Sequence, residues 1–212
     1  MSKNLPLHSL NVSELQLIRS NNLILSDVSF KVNSGEVLLL RGANGVGKTS
    51  LLMALAGYLH ISDGLINWQQ KEKTEKSIYE NMHFIAHQHA IKSFLTLREN
   101  LSFWADIYCG NKNNINNILE QVGLIAGENL EAGLLSQGQK KRLALARLLI
   151  AKKPIWLLDE PTAALDNEGD ELVGQMVDNH LDNGGLAIIA THLDLVLKKN
   201  KRVKTLNLKG KK

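Results

Sequence analysis

The chain has 212 residues, 44% of them hydrophobic and 22% charged, a balance that allows a buried core and excludes wholesale disorder. Aromatic residues make up only 5%, which argues against a base-stacking surface for nucleic acid, and the lone Cys109 excludes an internal disulfide or a cysteine-clustered zinc site. The net charge of +4 is uneven: residues 196–212 hold eight of the 25 Lys and Arg and no acid, whereas residues 1–195 carry 17 bases against 21 acids, so a basic tail follows a mildly acidic body.

In chain order, residues 1–10 contain Lys3 but no sustained apolar stretch, so no secretory signal is expected. Residues 23–32 read as a half-exposed strand ending at Asn33-Ser34-Gly35. Val37-Leu38-Leu39-Leu40 is a short apolar run, as a strand covered on both faces would be. Residues 48–59 read as a helix with Leu51, Leu52, Leu55 and Tyr58 apolar, and residues 97–108, 115–124 and 139–150 as three more. Ile155-Trp156-Leu157-Leu158 and Ala187-Ile188-Ile189-Ala190 return to the buried-strand pattern. Strand-rich ends thus bracket a helical insertion. We expect one α/β domain over 1–212 with a helical subdomain at 94–151. No apolar run approaches the roughly 20 residues of a membrane-spanning helix.

The sharpest local signal is Gly42-Ala43-Asn44-Gly45-Val46-Gly47-Lys48-Thr49, which matches G-x-x-x-x-G-K-[ST] between an apolar strand and a helix. The glycines let the backbone wrap around a polyphosphate with its N–H groups inward, and the helix beginning near Lys48 adds its positive end. Lys48 would reach the β and γ phosphates, and Thr49 would offer a hydroxyl to Mg²⁺. Further along, Pro154 to Leu158 ends in Asp159-Glu160-Pro161. Successive side chains diverge at a strand end, so Asp159 can serve the Mg²⁺ shell while Glu160 polarises an attacking water. Standing alone, the pair would be an ordinary acidic turn.

Leu135-Ser136-Gln137-Gly138-Gln139 offers a second anion-binding element. Ser136 and Gln139 form a capping-box pattern, Gly138 allows close approach, and the helix tip points positive charge outward. The segment precedes Arg142 and Ala146-Arg147 and stands 23 residues before Asp159. In that order it resembles the LSGGQ signature of ATP-binding cassette (ABC) proteins, with Gln137 in place of the first glycine. Gln88 resembles the Q-loop glutamine, Ala164-Leu165-Asp166 the D-loop, and Thr191-His192 the switch histidine.

The resemblance spans about residues 8 to 208. It implies a P-loop NTPase (RecA-like) core with an antiparallel β subdomain and a helical subdomain. It also implies ATP and Mg²⁺, with Lys48, Glu160 and His192 catalytic. Gly42 through Thr49, together with Ser50, would hold nucleotide, and Thr49, Gln88 and Asp159 would serve the metal. Ser136, Gln137, Gly138 and Gln139 would meet the ATP of the other subunit in a head-to-tail homodimer, with Asp166 in the D-loop. The aromatic that usually stacks on adenine aligns with Arg19, whose guanidinium can also stack on a base.

Within ABC proteins, AHQHAIKSFLTLRENL at residues 86–101 is similar to the haem-exporter ATPases of bacterial cytochrome c maturation. That likeness implies a peripheral subunit on the cytoplasmic face of the inner membrane, working with integral membrane subunits and not with nucleic acid. Other cargoes, such as lipid, lipoprotein or drug, are the nearest alternative, and a soluble ABC ATPase acting on DNA or ribosomes is a more distant one. Asn111-Lys112-Asn113-Asn114 matches the guanine-reading N-K-x-D only in part, because position 114 lacks the carboxylate. His83, His87 and His89 have the chemistry to hold haem or a metal, yet an exporter's cargo would pass through its partner. Thr96-x-x-Glu99 needs only a helix start to explain it.

Overall fold

The structure is a computed structural model that describes residues 8–70, 78–86, 90–193, 195, 197 and 202–209. The chain divides into two compact units, Met1–Ala86 with Lys153–Glu160 and Gly174–Lys212, and His87–Lys152 with Pro161–Val173.

The first unit holds two sheets. β1 (His8–Arg19), β2 (Asn22–Asn33) and β4 (Asp63–Gln70) form an antiparallel sheet in the order β2-β1-β4. Ser20 and Asn21 both have positive φ, the two-residue turn whose twist matches that of the strands it joins. β1 was not expected from the sequence. Its apolar residues Leu10 and Val12 and then Leu15 and Leu17 are all buried, but a register shift between Val12 and Leu15 breaks their alternation. Gly64 opens β4 with φ +89, and a Cβ there would lie 2.6 Å from both Ser13 O and Glu14 O.

β3 (Val37–Arg41), β5 (Met82–Ile85), β6 (Ile155–Asp159), β7 (Leu186–Ala190) and β8 (Val203–Asn207) form a parallel sheet ordered β5-β6-β7-β3-β8. Every residue of β6 and β7 is buried, which is why these strands read as unbroken apolar runs. α1 (Lys48–Leu55) follows β3 and ends earlier than its apolar pattern suggests. Gly57, at φ +78, turns the chain away, and a Cβ there would lie 2.6 Å from the Tyr79 ring.

The second unit contains α2 (Leu97–Tyr108), α3 (Ile115–Gln121) and α4 (Gln137–Ile150). Their shared core includes Leu97, Leu101, Ile118, Leu119, Leu143 and Ala146. α2 and α4 both begin with complete capping boxes, Thr96 with Glu99 and Ser136 with Gln139. α4 therefore starts at Gln137, two residues before the expected start at 139. α5 (Asn167–Asp182) was also missing from the sequence reading. Its buried Val173, Met176, Val177, His180 and Leu181 recur at helical spacing among many polar residues.

Candidate functional site

Register in the parallel sheet builds the site. Leu40 of β3 lies opposite Ala190 of β7, and Ala190 lies opposite Asp159 of β6. The carboxyl ends of three strands, distant in sequence, thus form one row, and ligands of parallel α/β sheets gather at such ends. The Thr191 N–H donates to Leu40 O at 3.3 Å, and Arg41 Nη1 donates to Thr191 O at 3.2 Å, holding the row together.

From β3 the chain enters the loop Gly42 to Gly47. A Cβ on Gly42 (φ +142) would lie 2.7 Å from Leu208 O, and one on Gly47 (φ +107) 2.9 Å from Leu25 Cδ2. Gly47 is the N-cap of α1 and supplies no side-chain hydrogen bond, so none of the amides at that tip is capped by a side chain. Lys48 is buried, and its Nζ donates to Gly42 O at 2.8 Å and Ala43 O at 3.2 Å. The same nitrogen lies 2.8 Å from His192 Nε2. Among the described residues no carboxylate pairs with Lys48. A buried ammonium held by two backbone carbonyls beside an uncapped helix tip fits a polyphosphate.

Thr49 Oγ1 donates to Asp159 Oδ2 at 2.8 Å, bringing together two hard oxygen atoms 110 residues apart in sequence. That donor chemistry fits Mg²⁺, which takes oxygen ligands from one or two side chains and the phosphates. Glu160 takes φ +47 as the strand ends, and its N–H donates to Ala190 O at 2.8 Å. Glu160 Oε1 lies 3.6 Å from His192 Nε2, and Glu160 Oε2 accepts the His192 N–H at 3.4 Å. Lys48, Thr49, Asp159, Glu160 and His192 therefore converge.

Other expected residues stand elsewhere. Arg19 is exposed at the end of β1, paired with Asn22 across the hairpin turn. Gln88, with His87 and His89, lies outside the described residues, whereas His83 is fully buried in β5. Among the described residues, no group of three or more His, Cys, Asp or Glu side chains could hold a metal ion, and no helix is long and apolar enough to cross a membrane.

Ser136, Gln137, Gly138, Gln139 and Asp166 belong to the second unit. Ser136 Oγ accepts the Gln139 N–H at 3.2 Å, and the Ser136 N–H donates to Gln139 Oε1 at 2.9 Å. A Cβ on Gly138 would lie 3.0 Å from Ala164 O, so the turn before α5 packs directly on the α4 tip. Asp166 accepts the Gly169 N–H and pairs with Arg142 at 2.9 Å, and these two contacts, in that order, hold its carboxyl below the usual range. Nothing local in the sequence marks Arg142 as the partner of Asp166, 24 residues away. Asn100, marked in the sequence only as part of the 86–101 segment, is a buried amide whose four hydrogen bonds appear in the folded loop.

The family model described as ABC transporter matches residues 25–163. Among curated proteins, the chain is 41% identical over 181 residues to the cytochrome c biogenesis ATP-binding export protein CcmA of Rhodopseudomonas palustris strain BisB5, covering 85% of this chain and 90% of that protein. It is 38% identical over 206 residues to the CcmA of Rhizobium etli, covering 95% and 96%. Among solved structures, a putative ABC transporter ATP-binding protein from Pyrococcus furiosus superimposes with a TM-score of 0.79 at 25% identity, over 94% of this chain and 97% of that one. An ATP-binding cassette of an ABC transporter in its ADP conformation gives 0.71 at 25% identity, over 89% and 83%.

Proposed function

This chain belongs to the ABC transporter family as an ATP-binding, ATP-hydrolysing subunit that works with membrane components, and we propose that its system is bacterial cytochrome c maturation, with haem export as the transport step. The likeness to cytochrome c biogenesis ATP-binding export proteins, which extends over nearly the full length of the chain, carries that reading. On it, the chain sits peripherally on the cytoplasmic face of the inner membrane, bound to integral membrane subunits of that system. We read it as one cassette whose helical part is the second unit.

The roles proposed for the residues follow from the convergence at the strand ends. The backbone amides of residues 42–50 cradle the phosphates, and Lys48 exchanges its backbone carbonyls for phosphate oxygens. Thr49 and Asp159 hold Mg²⁺, with Gln88 as a further ligand. The metal supplies charge neutralisation at the phosphates when bound. Glu160 accepts a proton from the attacking water, and His192, poised between Glu160 and Lys48, senses the γ-phosphate. Arg19 offers a guanidinium face to the base.

A second copy completes the site. Ser136, Gln137, Gly138 and Gln139 of one protomer face the phosphates held by its partner, with Asp166 beside the seam. ATP is then a dimerising ligand, and hydrolysis removes the bridge.

Complementation tests the cargo. In a bacterium lacking its cytochrome c maturation ATPase, the chain should restore haem-staining c-type cytochromes, and Lys48→Ala should not. A tagged chain should recover the maturation system's membrane subunits. Recovery of a different transporter's subunits, with no restored cytochromes, would refute the assignment.

A further inference from the structure

Asn100 lies on α2 with 1% of its surface exposed. Its Oδ1 accepts the Lys92 N–H at 2.8 Å, and its Nδ2 donates to Lys92 O at 3.0 Å, Leu95 O at 3.1 Å and Thr96 O at 2.9 Å. Two N–H bonds serve three carbonyls, so every polar atom of the amide is engaged. α2 does not need this group for its own sake. The Asn100 backbone N–H already bonds to Thr96 O at 2.9 Å, and asparagine is a poor helix former. The side chain instead gathers residues 92–96 into one shape.

The same residues are stitched to the stretch that leads into Ser136. Gly133 N–H donates to Ser93 O at 2.8 Å and Ala132 N–H to Leu95 O at 2.9 Å. In return, Leu97 N–H donates to Leu130 O and Arg98 N–H to Glu128 O, both at 3.1 Å. Thr96 and Glu131 form an antiparallel bridge, and Arg98 pairs with Glu128 through their side chains. This strap ends three residues before Ser136, and Lys92 follows Gln88 by four.

We propose that Asn100 is a positioning residue: by clamping residues 92–96 against the strap at 128–133, it sets the place of the Ser136 helix tip that closes on the nucleotide of a second copy. The inference rests on the shared-seam reading given above. Removing the clamp frees the backbone of residues 92–96, and the ladder anchored on them loses its register. The nucleotide cradle in the other unit is left as it was.

Asn100→Asp tests this, since it keeps the shape and the acceptor but turns carboxylate oxygens toward three carbonyls. The full-length chain carrying Glu160→Gln provides the background, with Mg-ATP-driven dimerisation followed by sedimentation. Adding Asn100→Asp should weaken dimerisation about tenfold. The affinity of the monomer for a fluorescent ATP analogue should stay within about twofold. Lowering the pH should restore part of the loss, because the introduced carboxyl donates again once protonated. Lost thermal stability with dimerisation per folded chain unchanged would overturn the proposal.

Arg98→Gln breaks the ion pair on the strap's surface and decides the matter if Asn100→Asp does not fold. It should weaken dimerisation about twofold to threefold, and an unchanged dimer there also counts against the strap. A Glu160→Gln chain that stays monomeric with Mg-ATP would instead sink the shared seam itself, before Asn100 is in question.

Discussion

Two helix tips in this molecule each read from sequence as an anion-binding element and differ in what they leave open. α1 starts after Gly47, which is left-handed and offers no side-chain cap. α4 starts after Ser136, which is extended and closes a full capping box with Gln139. The first tip therefore depends on a ligand to engage its terminal amides, and a loop rich in positive φ has brought them round to meet one. The second engages two of its amides, those of Ser136 and Gln139, within its own chain and so leans less on a ligand. On the proposed reading, the uncapped tip is the resident binding site and the partly capped one is presented to a second copy.

The largest effect expected is on chemistry at the first tip. Glu160→Gln should lower ATP turnover by about 10²–10⁴-fold while leaving ATP binding intact, as measured by steady-state hydrolysis and nucleotide titration. Turnover at the parent rate would remove Glu160 from its role as base. Lys48→Ala should weaken ATP binding by about 100-fold, a cost of about 3 kcal/mol, and an unchanged titration would mean the open tip is not the phosphate site.

Acid provides a comparison between the two units. His180, in the first unit, stacks on Trp156 at 3.9 Å between ring centroids, and burial pulls its pKa from 6.5 down to about 4 despite hydrogen bonds to Leu186 O and Pro154 O. The unfolded chain then binds a proton that the folded chain refuses between pH 6.5 and 4. Stability from this residue is complete above pH 6.5 and falls as the pH drops through that window, by about 3 kcal/mol at most. The second unit has no described histidine. Hydrogen exchange should therefore show acid opening β6 and β7 before α2 and α4, and equal protection loss in both units would break the comparison.

The smallest effect separates two capping boxes of the same geometry. Thr96→Ala and Ser136→Ala should each cost about 1 kcal/mol of stability in denaturant titrations. Ser136→Ala should also reduce hydrolysis, and by more than Thr96→Ala, whose cap reaches the seam only through the strap. An equal loss of turnover in both would mean that Ser136 acts as a helix cap and nothing more.

The sequence by itself carried whatever is local: the glycine spacing before Lys48, the apolar run ending in Asp159-Glu160, and the Ser136 and Thr96 caps. Each depends on residues a few positions apart, whose backbone preferences and side-chain reach are written in the segment. β1 escaped because a bulge resets its alternation, and α5 because polar residues crowd its narrow apolar stripe. Tertiary structure alone decided that Thr49 meets Asp159 and that Lys48 meets His192 across 144 positions. Those meetings depend on strand order and register in a sheet whose neighbours are remote in the chain, and no periodicity within one strand encodes which strand will lie beside it.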